Sequence, residues 1–227
     1  MNERYYIRKL TADDVEEVAN LSAKIFLERQ TLAKATNIPF DDYFKHMRKV
    51  LYESIVNEPL SYVCEDQTLT KGKQIIGFRF CKTLSLKREK FNDARLAPIL
   101  ALTDKMLKEW LRQHPEVANS EKKQQKILFF EGLGVKSGYE RMGIATKLCL
   151  AALKQAKSLG YEMVLAIAVA EASQNIFANK LNFKEVYTLE SIDFEFGGRR
   201  PYYGINELKT FKCFELELNR FSSFSCN

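Results

Sequence analysis

The chain has 227 residues, of which 46% are hydrophobic and 28% charged, a balance typical of a folded globular protein rather than a disordered one. No apolar run approaches the roughly 20 residues of a membrane-spanning helix, and the N-terminus lacks the layout of a secretory signal. We therefore predict a cytoplasmic protein without membrane association, with the nucleus as the alternative location. The net charge of +6 is spread along the chain rather than gathered into one patch, which argues against nucleic acid as a partner.

The first part of the chain predicts a strand, two helices and a hairpin of two strands. The first strand alternates apolar and polar residues, and Thr11 begins a helix whose apolar residues recur at three- and four-residue spacing. The hairpin turns at Gly72, which supplies the conformational freedom of a tight turn. The first strand is expected at residues 5–10 and the first helix from residue 15 to at least 26. The second helix is expected from residue 41 or 42 to the proline at 59, and the two strands of the hairpin at 60–65 and 74–83.

A long excursion over residues 84–126 separates the hairpin from the next strand. Its middle has helical apolar spacing, whereas its tail, residues 116–126, is polar and predicts a mobile loop. Strands and helices alternate after it, and they are expected at residues 127–135, 145–159, 162–168, 170–181, 183–189 and 211–218. This order predicts one mixed α/β domain over residues 1–227.

The cysteines and histidines give no metal signal. The five cysteines form no CxxC pair, and the two histidines, His46 and His114, are far apart. Since a zinc site needs such residues at short spacing, we predict reduced, buried thiols and no metal site.

The central strand at 127–135 leads through a short loop with two glycines directly into an amphipathic helix. The free N–H groups at a helix N-terminus favour an anion, above all a phosphate. Gly143 allows the backbone to approach that phosphate, and Arg141 supplies positive charge beside it. The G-x-G-x-x-G pattern of a Rossmann dinucleotide site is absent from this stretch.

Residues 133–148, LGVKSGYERMGIATKL, resemble the cofactor motif of the GNAT superfamily of acetyl-CoA-dependent N-acetyltransferases. Gly143 and Ala145 match the motif (Q/R)-x-x-G-x-(G/A), whereas Glu140 stands where the family has Gln or Arg. A second match is the turn K-L-N-F, in which Asn182 replaces the family's glycine and tolerates the same left-handed conformation. The resemblance implies a mostly antiparallel sheet of about seven strands, flanked by helices, with a helical insertion between strands 3 and 4.

The resemblance also implies how acetyl-CoA is bound. The pyrophosphate meets the loop and the helix N-terminus, the pantetheine arm passes Asn175, and the backbone N–H of Val135 stabilises the oxyanion of the reaction. The alternative interpretation of Asn175 is a residue on a solvated helix face. The implied cofactor-binding residues are Leu133, Gly134, Val135, Arg141, Met142, Gly143, Ile144, Ala145, Thr146 and Asn175.

Glu131 is the first candidate for the general base that takes a proton from the amine. On an alternating strand, residues 131, 133 and 135 share one face, and a carboxylate within an apolar run has a raised pKa, which suits a base. The alternative interpretation of Glu131 is an ion pair with a neighbouring strand.

The segment KIFLERQTLAKAT, which continues the first helix, resembles the insect and nematode branch of arylalkylamine N-acetyltransferase-like proteins. The glutamate proposed as base in that branch corresponds to Gln30, with Glu28 close by, and the branch's helix serine corresponds to Gln174 or Ser173. Glu28 and Ser173 are therefore further candidate catalytic residues.

The general acid of the family is missing, because its tyrosine is replaced by Ala178. Tyr187, Tyr202 and Tyr203 are alternative acids, and unaided departure of the thiolate is the other possibility. The resemblance thus predicts acetyl transfer from acetyl-CoA to a small primary amine such as an arylalkylamine. A protein lysine or N-terminal acetyltransferase and a non-catalytic acyl-CoA-binding pseudoenzyme stay open as alternatives, and the sequence specifies neither the amine nor the oligomeric state.

Overall fold

A computed structural model describes residues 4–29, 32, 36–87, 93–205 and 207–221, except the side chains of residues 55 and 56. Its strands are β1 (Tyr5–Lys9), β2 (Tyr62–Asp66), β3 (Ile75–Thr83), β4 (Ile127–Val135), β5 (Met163–Ala168), β6 (Lys184–Glu190) and β7 (Thr210–Glu217). Its helices are α1 (Val15–Arg29), α2 (Phe40–Asn57), α3 (Ala97–Gln113), α4 (Pro115–Ala118), α5 (Glu121–Gln124), α6 (Ile144–Ser158) and α7 (Glu171–Asn175), which a wide π-helical turn, Ile176–Lys180, extends.

The strands form one sheet in the order β1-β2-β3-β4-β5-β7-β6, so that β4 is central. Within this described sheet, β4 and β5 are parallel and all other neighbours are antiparallel. The mixed α/β class, the mostly antiparallel sheet and the helical insertion between β3 and β4 are therefore confirmed.

The two faces of the sheet carry different helices. Two core clusters join α1, α2 and α3 to one face, and a third joins α6 and the π-helical turn to the other. Glycines allow this close packing: a Cβ at residue 77 would lie 3.1 Å from Ile144 of α6, and a Cβ at residue 134 would lie 3.0 Å from Ile25 of α1. Residues at the centre of the sheet are thus covered by helices on both sides.

The insertion is tied to the sheet by a buried carboxylate on β7. Glu215 accepts hydrogen bonds from Trp110 Nε1 at 2.9 Å and from Lys184 Nζ at 3.1 Å, and it lies 2.8 Å from His114 Nε2. Burial alone would raise the pKa of Glu215, but the hydrogen bonds from Trp110 and Lys184 and the charge of His114 outweigh it and hold that pKa below its ordinary value.

The prediction of a mobile loop over residues 116–126 is wrong, because most of this tail forms α4 and α5. Val117 and Gln124 are buried, and the Ser120 side chain accepts the N–H of Lys123 as a helix cap. Among the described residues, no helix combines the length and the apolar character that crossing a membrane requires. Cys64, Cys81, Cys149 and Cys213 are buried free thiols, as predicted, and Cys226 lies outside the described residues.

Candidate active site

A gap opens between the two central parallel strands. β4 pairs with β5 only from Ile127 to Phe130, opposite residues 163–166. Beyond Phe130, β4 stays on β3 as far as Val135, while β5 follows β7. The strands therefore separate in a V whose vertex is Phe130 and whose open end meets the loop before α6.

The backbone of β4 presents polar groups to this gap. The N–H of Lys136 donates to the carbonyl of Ile76 at 2.8 Å, so Lys136 faces β3. Because successive residues of a strand direct their N–H and C=O groups to opposite sides, Leu133 and Val135 direct theirs away from β3, into the gap. This orientation suits the role predicted for the Val135 N–H.

The loop between β4 and α6 contains residues in the left-handed backbone conformation, which glycine adopts most easily. Gly143 has a φ of 76° and directly precedes the first residue of α6, and Arg141 adopts a left-handed φ of 61°. A Cβ at residue 143 would meet nothing within 4 Å, so glycine is needed there for its conformation and not for space. Tyr139 fastens the loop to the sheet by donating its hydroxyl to Asp66 at 2.9 Å.

Glu140, which departs from the family motif, is paired with a residue of α1. Its carboxylate lies 2.7 Å from the guanidinium of Arg29 and accepts the N–H of Gly138 at 2.7 Å. Hydrogen bonds from its own N–H and that of Gly138, together with Arg29, keep the pKa of Glu140 below its ordinary value. Arg29 also donates to the carbonyl of Val135 at 3.1 Å and to the Ser137 hydroxyl, so one side chain links α1, β4 and the loop.

The structure contradicts the prediction that residues 131, 133 and 135 share a face. Opposite Phe80 and Cys81 of β3, β4 carries Gly132 and Phe130, so Glu131 is the extra residue of a β-bulge. The bulge shifts the alternation by one: Leu133 and Val135 pack towards α6, whereas Glu131 meets Lys82 beside Phe129, on the face of α1, α2 and α3.

The surroundings of Glu131 are polar on one side and apolar on the other. Its carboxylate is 35% exposed and accepts a hydrogen bond from Lys82 Nζ at 2.6 Å, which is the ion pair of the alternative interpretation. Its charge also contributes, after burial, to raising the pKa of the Tyr43 phenol on α2. Tyr43 stacks on Phe26 of α1 with ring centroids 4.0 Å apart, and Glu131 lies on the same face of the sheet as these two rings.

The other candidate catalytic residues lie on other elements than Glu131. Glu28 is exposed near the end of α1, and Ser173 is half-buried in α7. Within the part of the chain that is described, no hydrogen bond joins Glu28, Glu131 and Ser173, and Gln30 lies outside that part. Gln174 has a structural role, because its amide donates to the Thr210 carbonyl on β7 at 3.1 Å.

The helix after β5 ends as the K-L-N-F turn predicts. Asn182 has a φ of 53°, the left-handed conformation of a helix terminator, and the N–H of Phe183 donates to the Phe177 carbonyl at 2.9 Å. Asn175 is exposed, and its Oδ1 accepts a hydrogen bond from Asn179 at 2.7 Å.

The alternative acids are not at the gap. Tyr202 is buried among Phe194 and Phe211 in the cluster beneath α3, and Tyr187 lies on β6, the outermost strand of the sheet. Tyr203 is 70% exposed on the segment between β6 and β7.

Three side chains of this region escaped the sequence-based predictions: Arg29, Lys82 and Arg79. The residues that they contact are distant in sequence, so no local sequence pattern identifies them. Arg79 is the exception, because a charged residue within the apolar strand sequence GFRFC is unusual and could have drawn attention to it. Within the described residues, no three His, Cys, Asp or Glu side chains cluster as metal ligands do.

Comparisons with solved structures give the same fold at low sequence identity. The C-terminal condensation domain of Ebony, in complex with β-alanyl-dopamine, has a TM-score of 0.75 and 15% identity, covering 94% of this chain and 98% of that one. Arylalkylamine N-acetyltransferase 2 from Aedes aegypti has a TM-score of 0.72 and 15% identity, covering 96% and 100%. YncA of Salmonella typhimurium, with its cofactor acetyl-CoA, has a TM-score of 0.56 and 12% identity, covering 99% and 100%.

No curated protein sequence matches the chain. The family model described as Acetyltransferase (GNAT) family matches residues 33–183, which include α2, the insertion, the gap, the loop and the K-L-N-F turn. Since this match covers well over half of the chain, the protein belongs to the GNAT family of acetyltransferases.

Proposed function

We propose that this enzyme transfers the acetyl group of acetyl-CoA to the primary amine of a small molecule, with arylalkylamines as the leading class, and that residues 1–227 act as one catalytic domain. The observation that carries the proposal is the V-shaped gap after Phe130, which leads to a left-handed glycine at a helix N-terminus. The similarity to an arylalkylamine N-acetyltransferase and to a domain that holds β-alanyl-dopamine supports the amine class.

The groups that border the gap fit acetyl-CoA. Leu133 and Val135 offer backbone groups to the pantetheine amides, since both face away from β3. Gly134 lies between them and pairs with Phe78 of β3, so it stays in the proposed cofactor-binding set as the residue that joins the two and not as a hydrogen-bonding group. The loop and first turn of α6 offer N–H groups and positive charge to the pyrophosphate, and Asn175 lies on the helix beside the arm. When bound there, acetyl-CoA supplies an activated acetyl thioester. The loop residues in this set are Arg141, Met142, Gly143, Ile144, Ala145 and Thr146.

The bulge suits Glu131 to receive the amine's proton. It directs the carboxylate away from α6 and beneath α1 and α2, where Phe26 and Tyr43 offer aromatic surface to the ring of an arylalkylamine. An incoming ammonium group would compete with Lys82 for this carboxylate, which can then take the proton that the amine must lose before it attacks. Glu28 and Ser173 are secondary candidates, because no hydrogen bond among the described residues joins either of them to Glu131.

A screen of amines with acetyl-CoA tests the proposal. Release of the CoA thiol is followed with arylalkylamines, polyamines and lysine peptides, and the acetylated product is identified by mass. Turnover that is fastest with arylalkylamines supports the proposal, and turnover with peptides alone supports the protein acetyltransferase instead. Binding of acetyl-CoA without turnover on any amine supports the pseudoenzyme.

Two matched variants test the base. We expect Glu131→Gln to lower kcat/KM on the best amine by about 10²–10⁴-fold, the usual contribution of a general base. Glu16→Gln, at an exposed carboxylate at the start of α1 that pairs with Arg48, is the control with the same change of charge. If Glu131→Gln keeps full turnover, the assignment of the base is wrong.

A further inference from the structure

Arg79 lies on β3 and is 1% exposed. Its side chain crosses over β4 on the α6 face, and its guanidinium carbon is 3.9 Å from the ring centroid of Phe130 and 5.7 Å from that of Phe177. Phe130 is the vertex of the gap, and Phe177 belongs to the π-helical turn that follows β5. The guanidinium is thus held at the closed end of the gap, between the two elements that border it.

The charge of Arg79 is not balanced by the side chains around it. Among the described residues, no carboxylate forms an ion pair with it, and its Nε and Nη2 atoms have no hydrogen-bond partner. The thiols close to it stay neutral, since burial raises the pKa of Cys81 to about 12 and also raises that of Cys149. Burial likewise raises the pKa of Tyr62, the cross-strand neighbour on β2.

A buried cation without a counter-ion costs stability, and arginine cannot lose its charge to avoid that cost. The ring of Phe130 offsets part of it by a cation–π interaction. The part of this cost that the ring does not offset indicates that an anion binds near Arg79 at some stage of the protein's function.

The acetyl transfer itself generates an anion at the gap. As the amine nitrogen bonds to the acetyl carbon and gives up its proton to the base, the carbon–sulfur bond breaks and its electron pair stays on sulfur as a thiolate. The family's acid would protonate this sulfur from position 178, but Ala178 has no proton to give, and it directly follows Phe177.

We propose that Arg79 stabilises the departing CoA thiolate by its charge and so replaces the missing acid at position 178. This inference rests on the proposed function, because it requires CoA in the gap. Arg79 acts through its charge and not as a proton donor, and the thiolate takes its proton from water after leaving the site. A fixed cation in a water-poor site is effective because it needs no rearrangement as the charge develops.

Titration of the thiol of bound CoA tests the proposal without any amine substrate. The ultraviolet absorbance of the thiolate is followed against pH for free CoA and for CoA bound to the protein, after subtraction of the protein alone. We expect the bound thiol to ionise about tenfold more readily than free CoA, that is, with a pKa about one unit lower.

Three variants separate charge from packing. Arg79→Met should abolish the shift while the protein melts at the same or a higher temperature, because it replaces an unpaired buried charge by an apolar chain of similar length. Arg79→Lys keeps the charge and should retain most of the shift. Arg112→Met, on the exposed side of α3, is the matched control and should titrate like the wild type.

The outcomes distinguish this inference from the proposed function. If CoA does not bind, the proposed function fails. If CoA binds to the wild type but its thiol titrates like free CoA, the role of Arg79 is refuted even where Arg79→Met does not fold. A shift that persists in folded Arg79→Met refutes it equally.

Discussion

Replacing Gly143 by Asp or Asn tests whether the loop before α6 binds phosphate. The two variants have side chains of nearly equal size at a position where a Cβ meets nothing within 4 Å, so neither is expected to clash. Both must adopt a φ near 76°, which costs a non-glycine residue about 1 kcal/mol and is tolerated best by Asn and Asp. They differ essentially by one negative charge at the N-terminus of the helix.

The expected effects on stability and on binding are therefore separable. A loss of about 1 kcal/mol lowers the melting temperature of a domain of this size by about 2–4 °C in both variants. Asp gains slightly from the positive end of the helix, so Gly143→Asp should be no less stable than Gly143→Asn. Beside the pyrophosphate, however, the added charge costs about 1.4–2.8 kcal/mol, which corresponds to a Kd about 10- to 100-fold higher.

Isothermal titration with acetyl-CoA and thermal melting of the same samples provide the measurements. Gly143→Asn should keep affinity within a few-fold of the wild type, and Gly143→Asp should lose most of it while still folded. Equal affinities for acetyl-CoA in the two folded variants would refute the assignment of this loop to the pyrophosphate.

Three further predictions concern the residues around the site. Arg29→Ala should weaken acetyl-CoA binding by about 1 kcal/mol, because it leaves Glu140 unpaired near the phosphates, and adding Glu140→Gln should restore the affinity; additive losses in a titration would contradict this. Gly134→Ala should lower the free energy of unfolding by about 1–3 kcal/mol, since its Cβ would lie 2.5 Å from the Phe78 ring; an unchanged urea midpoint would argue against that packing. Glu215→Gln should destabilise the protein by about 3 kcal/mol near neutral pH. Because the folded-state pKa of Glu215 is lowered, its contribution is complete above the unfolded value of about 4.3 and lost as pH falls through the folded value, so the two urea midpoints should converge in acid.

The order of strands and helices could be predicted because each element carries its own periodicity. The strand–loop–helix at the centre has an apolar run, glycines and an amphipathic segment in succession, and the structure has the same three elements at nearly the same bounds. The left-handed Asn182 was predictable for a similar reason, since the need for such a conformation is local to the turn.

The features that were missed depend on pairs of segments rather than on one. The extra residue at Glu131 is visible only when β4 is aligned with β3, and an alternating pattern read from β4 alone assigns Glu131 to the same face as Leu133 and Val135. The Arg29–Glu140 pair joins α1 to the loop, and the isolation of Arg79 depends on which side chains from three other elements surround it. Charge balance in a core is a tertiary property, so local sequence patterns do not report it.

The bulge gives one strand two functions on opposite sides of the sheet. Without it, Glu131 would share one face of the sheet with Leu133 and Val135, and the proposed base would lie on the same side as the residues that face α6. The extra residue sits immediately after the last residue that β4 pairs with β5, so the strand changes its face at the same point where the gap begins. The proposed base and the gap-facing residues Leu133 and Val135 therefore lie two to four positions apart on the central strand. Arg79 lies at the same vertex on the α6 side of the sheet. The cation proposed for the thiolate and the carboxylate proposed for the ammonium proton therefore lie on opposite faces of the sheet, both where the pairing of β4 with β5 ends.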